Sequence, residues 1–210
     1  MRLPLIALAV ATIGLSAGVA INAQNAPSAL PGQADASRIT GGTYAVDGGH
    51  TQVLFSYDHM GFSKNMGVIA EPTGSLTLDP KSPAKAKVSV TFPIANIRTG
   101  ISALDEHLTG ADFFDAAQFP QASFTSTAVT LDPKDKTKAK IAGTLTIKGV
   151  SKPVVLDASF YGAGTNPMSK KETVGFSAKT SINRSEFNAG AYVPAVGDKV
   201  DLKITAAFEK

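Results

Sequence analysis

Three histidines, one adjacent pair of carboxylates and one arginine are the residues of this chain best suited by type to do chemistry. His59 ends an alternating run, Val53, Phe55, Tyr57, His59, and so is expected on an apolar strand face. There a neutral imidazole either meets the head group of a ligand or is satisfied by a nearby carbonyl or hydroxyl. His50 stands in a Gly-Gly-His-Thr turn, where capping is its expected role. His107 follows Asp105 and Glu106. A carboxylate two residues from a histidine is not on the same helical face, so one metal ion does not easily take both. Asp105 and Glu106 are neighbours and point apart, whereas glycoside hydrolysis needs two carboxylates facing across a cleft. The chain has no cysteine to act as a nucleophile. Arg184, in Ile-Asn-Arg-Ser-Glu-Phe, could pair with a buried acid, hold a loop or meet an anionic group. These residues predict no catalytic set, no metal and no cofactor. Two rival readings stay open: a lipid-modifying enzyme with His59 or His107 as general base, and a stress-induced interaction protein with a solid core.

The elements that must position these residues are strands. Val88, Val90, Phe92 and Ile94 alternate with Lys87, Ser89 and Thr91. The same period of two runs through Ile141 to Ile147, Val154 to Phe160, Phe176 to Ile182 and Val200 to Phe208. Such alternation marks strands with one wet face and one buried face. Asp79-Pro80, Asp132-Pro133, Asn166-Pro167 and Gly197-Asp198 supply the turns between them. Many antiparallel strands with short turns imply a sandwich or an up-and-down barrel. One segment breaks the pattern. In 101–119, Ile101, Leu104 and Leu108 share a helical face, Ser102 is placed to cap the first turn and Asp112 to cap a second. This helical insertion is expected across one end of the strands, as a lid and gate. Phe62, Phe92, Phe113, Phe114, Phe119 and Phe124 cluster around it, in a chain with 11 Phe and no Trp. Composition alone does not separate a pocket from a packed core, because both use these side chains.

Arg2 precedes an uncharged apolar run from Leu3 to Ile21, and Gly18-Val19-Ala20 offers the small residues that a signal peptidase reads. Residues 1–23 are therefore expected to be a cleaved signal peptide, which places the domain in the periplasm. Residues 24–42, rich in Ala, Pro, Ser, Gly and Gln, are expected to be a flexible linker. Residues 43–210 form the remaining domain. Without Arg2 the chain carries 19 basic against 17 acidic residues, a net +2. The lysines are scattered among acids and prolines, without the interleaved arginines and aromatics that stack on bases, so nucleic acid is not an expected partner. Lacking disulfides, the domain must be held by its core.

From Thr43 onward an ordered set of motifs resembles the YceI-like family of periplasmic polyisoprenoid-binding proteins. It comprises Tyr44-Ala-Val-Asp47, His50-Thr-Gln-Val-Leu-Phe55, His59-Met-Gly-Phe62, Ile97-Arg-Thr99, Leu104-Asp-Glu-His-Leu108 and Asp112-Phe-Phe-Asp115. It continues through Phe119-Pro120, Ser123-Phe-Thr-Ser126, Gly143 to Val150, Lys152-Pro-Val-Val155, Ile182 to Phe187 and Val196-Gly-Asp198. The resemblance implies an all-β, antiparallel, lipocalin-like barrel of about eight strands with a short helical insertion. It further implies an interior channel for a long-chain apolar lipid: a polyisoprenoid, an isoprenoid quinone or a fatty-acid derivative. The expected ligand-binding residues are Phe55, Tyr57, His59, Phe62, Phe92, Ile94, Leu104, Leu108, Phe113, Phe114, Phe119, Phe124 and Phe176. A membrane surface, a membrane-bound donor or acceptor, and a second copy of the chain are the further partners to consider.

Overall fold

The structure is a computed structural model and describes residues 29–210. The signal segment expected over 1–23 and the first part of the expected linker lie outside the described residues. Eleven strands follow one another: β1 (Gly42–Val46), β2 (Gln52–His59), β3 (Ser63–Ala70), β4 (Thr73–Leu78), β5 (Lys87–Pro93) and β6 (Ile97–Arg98). After the helix α1 (Ser102–Thr109) come β7 (Gln121–Leu131), β8 (Lys138–Ile147), β9 (Val150–Thr165), β10 (Glu172–Asn183) and β11 (Val196–Glu209).

All pairings are antiparallel. The ring β1-β4-β5-β7-β8-β9-β10-β11 closes where β1 meets β11, giving an eight-stranded barrel. β2, β3 and β6 prolong three of its walls: β2 pairs with β11 from Val196 to Thr205, β3 with β2, and β6 with β3. Each long wall thus neighbours the next in sequence, and the last returns to the first. Three walls are creased at one level. A turn over Gly48–His50 separates β1 from β2, Glu71-Pro72 separates β3 from β4, and Ile94–Asn96 separates β5 from β6. Pro72 cannot donate to a ladder, and Glu71 adopts a φ of 58°, so the strand must break there. Asn96 spans the crease, donating to the Ala70 carbonyl and the Glu71 carboxylate. The Thr51 hydroxyl donates to the Ala207 carbonyl and accepts from the Ala207 amide, so the crease leaves that stretch of β11 satisfied.

Two packed clusters occupy the two ends. At the end holding the chain's N-terminal segment, Tyr44, Leu76, Leu78, Val174 and Phe208 are buried together with Ile39. At the other end, Ile94, Ile97, Leu108 and Phe113 are buried, with Leu104, Phe55 and Ile69 against them. This second cluster lies beneath α1. The helix begins without a side-chain cap: Ile101 is its N-cap and Ser102 its first residue, in contrast to the capping role expected of Ser102. Asp105 instead turns back to accept from the Thr99 amide (2.7 Å) and hydroxyl (2.6 Å). No second helix forms around Asp112, where the chain runs in turns to Phe119.

The described part of the expected linker departs from its composition. Gln33 and Ala163 exchange both backbone hydrogen bonds, at 2.8 and 3.0 Å, and Ile39 is only 8% exposed. A single apolar residue seated in the end cluster, with a backbone bridge beside it, docks a stretch that its Ala, Pro and Gly content marks as loose.

Candidate functional site

The alternating faces read from the sequence converge on one interior cavity of about 550 Å3. Val88, Val90 and Phe92 of β5, Ile141 and Leu145 of β8, Val154 and Leu156 of β9, and Leu202 and Ile204 of β11 all face it. These side chains are half-buried, although every one points inward. Inward residues that keep accessible surface line a space; they do not interdigitate as in a solid core. On β9 the lining runs from Val154 to Phe160, roughly 20 Å at about 3.3 Å per residue. Strand tilt in an eight-stranded barrel reduces that to about 15 Å along the axis. A cavity of this volume falls within the roughly 300–1,000 Å3 of small-molecule sites.

Two glycines set the cavity's width. The missing Cβ of Gly67 would stand 2.3 Å from Cζ of Phe55, its cross-strand partner. The missing Cβ of Gly143 would stand 2.4 Å from Cζ of Phe124 on the adjacent strand. Both rings therefore lie back across a bare stretch of wall, an aromatic covering a glycine. At the N-terminal end, Phe176 meets Phe160 and Phe208 edge-on, at 6.0 and 6.3 Å between centroids.

Of the thirteen residues expected from the sequence, six line the cavity: Phe55, Phe92, Ile94, Phe114, Phe124 and Phe176. The other seven do not. Leu104, Leu108 and Phe113 pack beneath α1 in the end cluster. Phe119 lies against Gly149 in the β8–β9 turn. Tyr57 and His59 continue the inward face of β2 beyond the cavity's end: Tyr57 is buried, and His59 sits half-buried opposite Ser63 and Val196. Phe62, at the tip of the β2–β3 hairpin, is 89% exposed, because Met60 and Gly61 with positive φ turn the chain outward there.

The segment 101–119, expected to be a gate, is built as a plug. Leu108 is 4% exposed. The Tyr192 hydroxyl donates to Asp112 at 3.1 Å, and His107 stands edge-on to Phe113 at 5.0 Å. Arg184 locks the neighbouring loop. Its guanidinium is buried and donates to the carbonyls of Gly197, Ala189, Ala191 and Val196, and it lies 5.6 Å from the centre of the Phe113 ring. Burial lowers its pKa, opposed by the charge of Asp198. Of the three roles open to Arg184, the one it fills is to hold a loop.

The exposed lining residues are all at the opposite end. Ala36, Pro80, Lys136, Thr137 and Lys138 line the cavity there and are exposed, so this is its mouth. The sequence faces gave no sign of them, because they belong to turns and not to strand periods. None of the three histidines lines the cavity. His50 is held by Asp47 at 2.7 Å on an exposed turn. Among the described residues, no group of three or more His, Cys, Asp or Glu is gathered as a metal site would require.

The mouth end is closed to one side by a polar clasp. The Tyr44 hydroxyl donates to Glu172 at 2.6 Å and accepts from the Gly41 amide. Burial, and then the bond to Glu172, push the phenol up to about 12. Burial would raise the Glu172 carboxyl, but hydrogen bonds from Thr40 and Tyr44 outweigh it and hold the group below its usual value.

The sequence model of the YceI-like domain matches residues 44–208. The chain belongs to the YceI-like family. It is 38% identical over 164 residues to protein YceI of Escherichia coli O157:H7, covering 77% of this chain and 84% of that one. Among solved structures, a YceI protein of Campylobacter jejuni is 33% identical with a TM-score of 0.63, covering 73% of this chain and 89% of that one. BcnA of Burkholderia cenocepacia is 26% identical with a TM-score of 0.68 and covers 77% and 98%. A polyisoprenoid binding domain from Saccharophagus degradans, 14% identical with a TM-score of 0.58 and covering 79% and 97%, shares the barrel fold.

Proposed function

We infer that this chain is a periplasmic carrier or store for one long apolar lipid, a polyisoprenoid, isoprenoid quinone or fatty-acid derivative, held in the barrel. The observation that carries this reading is the cavity of about 550 Å3 between two packed ends, walled by inward-facing aliphatic and aromatic side chains. The barrel from Saccharophagus degradans, a polyisoprenoid binding domain, supports the ligand class. The apolar leader in 3–21 supports the compartment.

Physical chemistry favours a long ligand. Each methylene removed from water contributes about 0.8 kcal/mol, so about ten carbons give roughly 8 kcal/mol before the cost of association. Polar lining is sparse inside, so discrimination falls on chain length and width more than on the head group. The cavity residues Phe55, Phe92, Ile94, Phe114, Phe124 and Phe176 form the ligand wall in this reading. Leu104, Leu108 and Phe113 support it from behind.

The test is organic extraction and mass analysis of protein purified from cells, followed by uptake of defined isoprenoid quinones and fatty acids by the delipidated protein. A co-purified chain lipid and saturable uptake are expected. Protein that carries no lipid and takes none up overturns the reading. Replacing His59 and His107 with alanine separates the enzyme alternative: a carrier keeps its uptake and binds the same lipid unchanged, whereas an enzyme accumulates substrate.

A further inference from the structure

Charge is divided between the two ends of the barrel. The plug segment, residues 99–120, contains Asp105, Glu106, Asp112 and Asp115 and neither lysine nor arginine, a net −4 that is partly offset by Lys148, which donates to the Ala111 carbonyl, and by Arg184 beside Phe113. The two turns beside the mouth are the reverse. Segments 79–87 and 132–138 hold six lysines, at 81, 85, 87, 134, 136 and 138, against Asp79, Asp132 and Asp135, a net +3. The turn at Pro83–Lys85 packs along β7, so the two segments are neighbours, and both contribute to the cavity lining.

The acids of this rim are already engaged. Asp79 accepts from the Lys81 amide, Asp132 from the Lys134 and Asp135 amides, and Asp135 pairs with Lys138 at 2.8 Å. Lys81, Lys85, Lys87, Lys134 and Lys136 are exposed and form no ion pair among the described residues. A solvated lysine face is the ordinary outcome for scattered surface lysines. Here five ammonium groups without an ion pair among the described residues stand on the two turns that contribute to the cavity's mouth.

We propose that this rim docks the barrel, mouth first, onto an anionic lipid surface, so that a lipid chain crosses between bilayer and cavity without entering water. The proposal rests on the cavity being a lipid site and adds where and how it is filled. The charge division orients the molecule: the rim is drawn to lipid phosphates while the acidic plug is repelled, within a Debye length of the surface. Leu30, in the segment before β1, and Met168, in the β9–β10 turn, are exposed apolar residues on the mouth side. Exposed Met60, Phe62, Ile101, Tyr192 and Val193 lie at the plug end, beside its four carboxylates, where an anionic bilayer is disfavoured.

The experiment is co-sedimentation with vesicles of phosphatidylcholine alone and of phosphatidylcholine mixed with phosphatidylglycerol. The wild-type chain is compared with K81E/K85E/K134E, with K179E/K203E, which reverses two exposed charges on the outer wall, and with F62S. Uptake of the apolar fluorophore N-phenylnaphthylamine is followed in vesicle-free solution. Wild type should pellet with the anionic vesicles only, and less so as salt rises. The rim variant should lose that binding by at least about tenfold, since each lysine near an anionic surface is worth roughly fivefold in partitioning. The wall variant and F62S should keep most of it, and the rim variant should take up the fluorophore like wild type. Equal binding to both vesicle types, equal loss in the wall variant, or loss confined to F62S overturns the proposal. Failure of fluorophore uptake by wild type would instead strike the cavity reading, independently of the vesicles.

Discussion

Replacing Gly67 with alanine tests whether the Phe55 ring is folded against the wall as described. Gly67 has an extended backbone, so an alanine there carries no conformational penalty and the whole effect is steric. The new methyl would sit 2.3 Å from Cζ and 2.9 Å from Cε1 of Phe55, with the Arg98 carbonyl at 3.0 Å. Ordinary contact requires more than 3.4 Å, so the ring must move by about 1 Å or more, and its only open direction is into the cavity. Overpacking of this kind costs about 1–3 kcal/mol. The displaced ring also narrows the channel, so Gly67→Ala should weaken uptake of long chains as well as stability. Phe55→Ala alone should destabilise by a similar amount and admit bulkier ligands. Combined, the two changes should cost less than their sum, because the methyl then faces the space the ring has left. A double-mutant cycle by denaturant unfolding, with probe uptake alongside, should show a coupling of about 1–2 kcal/mol. If Gly67→Ala costs the same with and without the Phe55 ring, the strain lies against the Arg98 carbonyl and Gly67 does not set the cavity's width.

Three further outcomes follow from the same geometry. Ala178→Trp, on β10 opposite Ala158 and facing the cavity, should abolish uptake of long-chain ligands while circular dichroism still reports the barrel; unchanged uptake would place the ligand elsewhere. Tyr44 has a pKa raised from 10 to about 12, so its contribution is complete below pH 10 and is lost as pH rises toward 12. Glu172, held low, contributes above the usual carboxylate range and is lost on acidification through its lowered value. Tyr44→Phe should therefore remove the alkaline part of the stability curve, about 2 kcal/mol, as read by urea midpoints across pH. Arg184→Lys should fail to restore the loop, because four carbonyls at differing angles need the planar fork; it and Arg184→Met should each lose about 2–4 kcal/mol by thermal unfolding.

The inward faces of β5, β8, β9, β10 and β11 were legible in the sequence because a half-buried strand repeats every two residues, and the cavity is their sum. The limits of the cavity were not. Tyr57 and His59 keep the period of Phe55 yet pass beyond the cavity, since alternation tells which face a residue is on and not how far along the axis it stands. Leu104 and Leu108 keep a helical period, but a period does not distinguish a hinged lid from a seated plug; the tie from Tyr192 to Asp112 and the grip of Arg184 on four carbonyls come from distant segments. The mouth was invisible for a related reason. Ala36, Pro80 and Lys136 meet only through tertiary structure, and Ile39 docks a stretch whose composition says linker.

The barrel is sealed by two residue pairs, Ala45 with Glu209 and Val46 with Phe208, while the rest of β11 joins β10 and β2. Three separate strands thus wait for the last one. A chain synthesised from its N-terminus has hairpins but no enclosed interior until that strand is available, and pairing ends so far apart in sequence is slow. The ordering also means that the interior compartment comes into being in one late step, so that a ligand present at that moment is enclosed as the seam forms and need not enter afterwards.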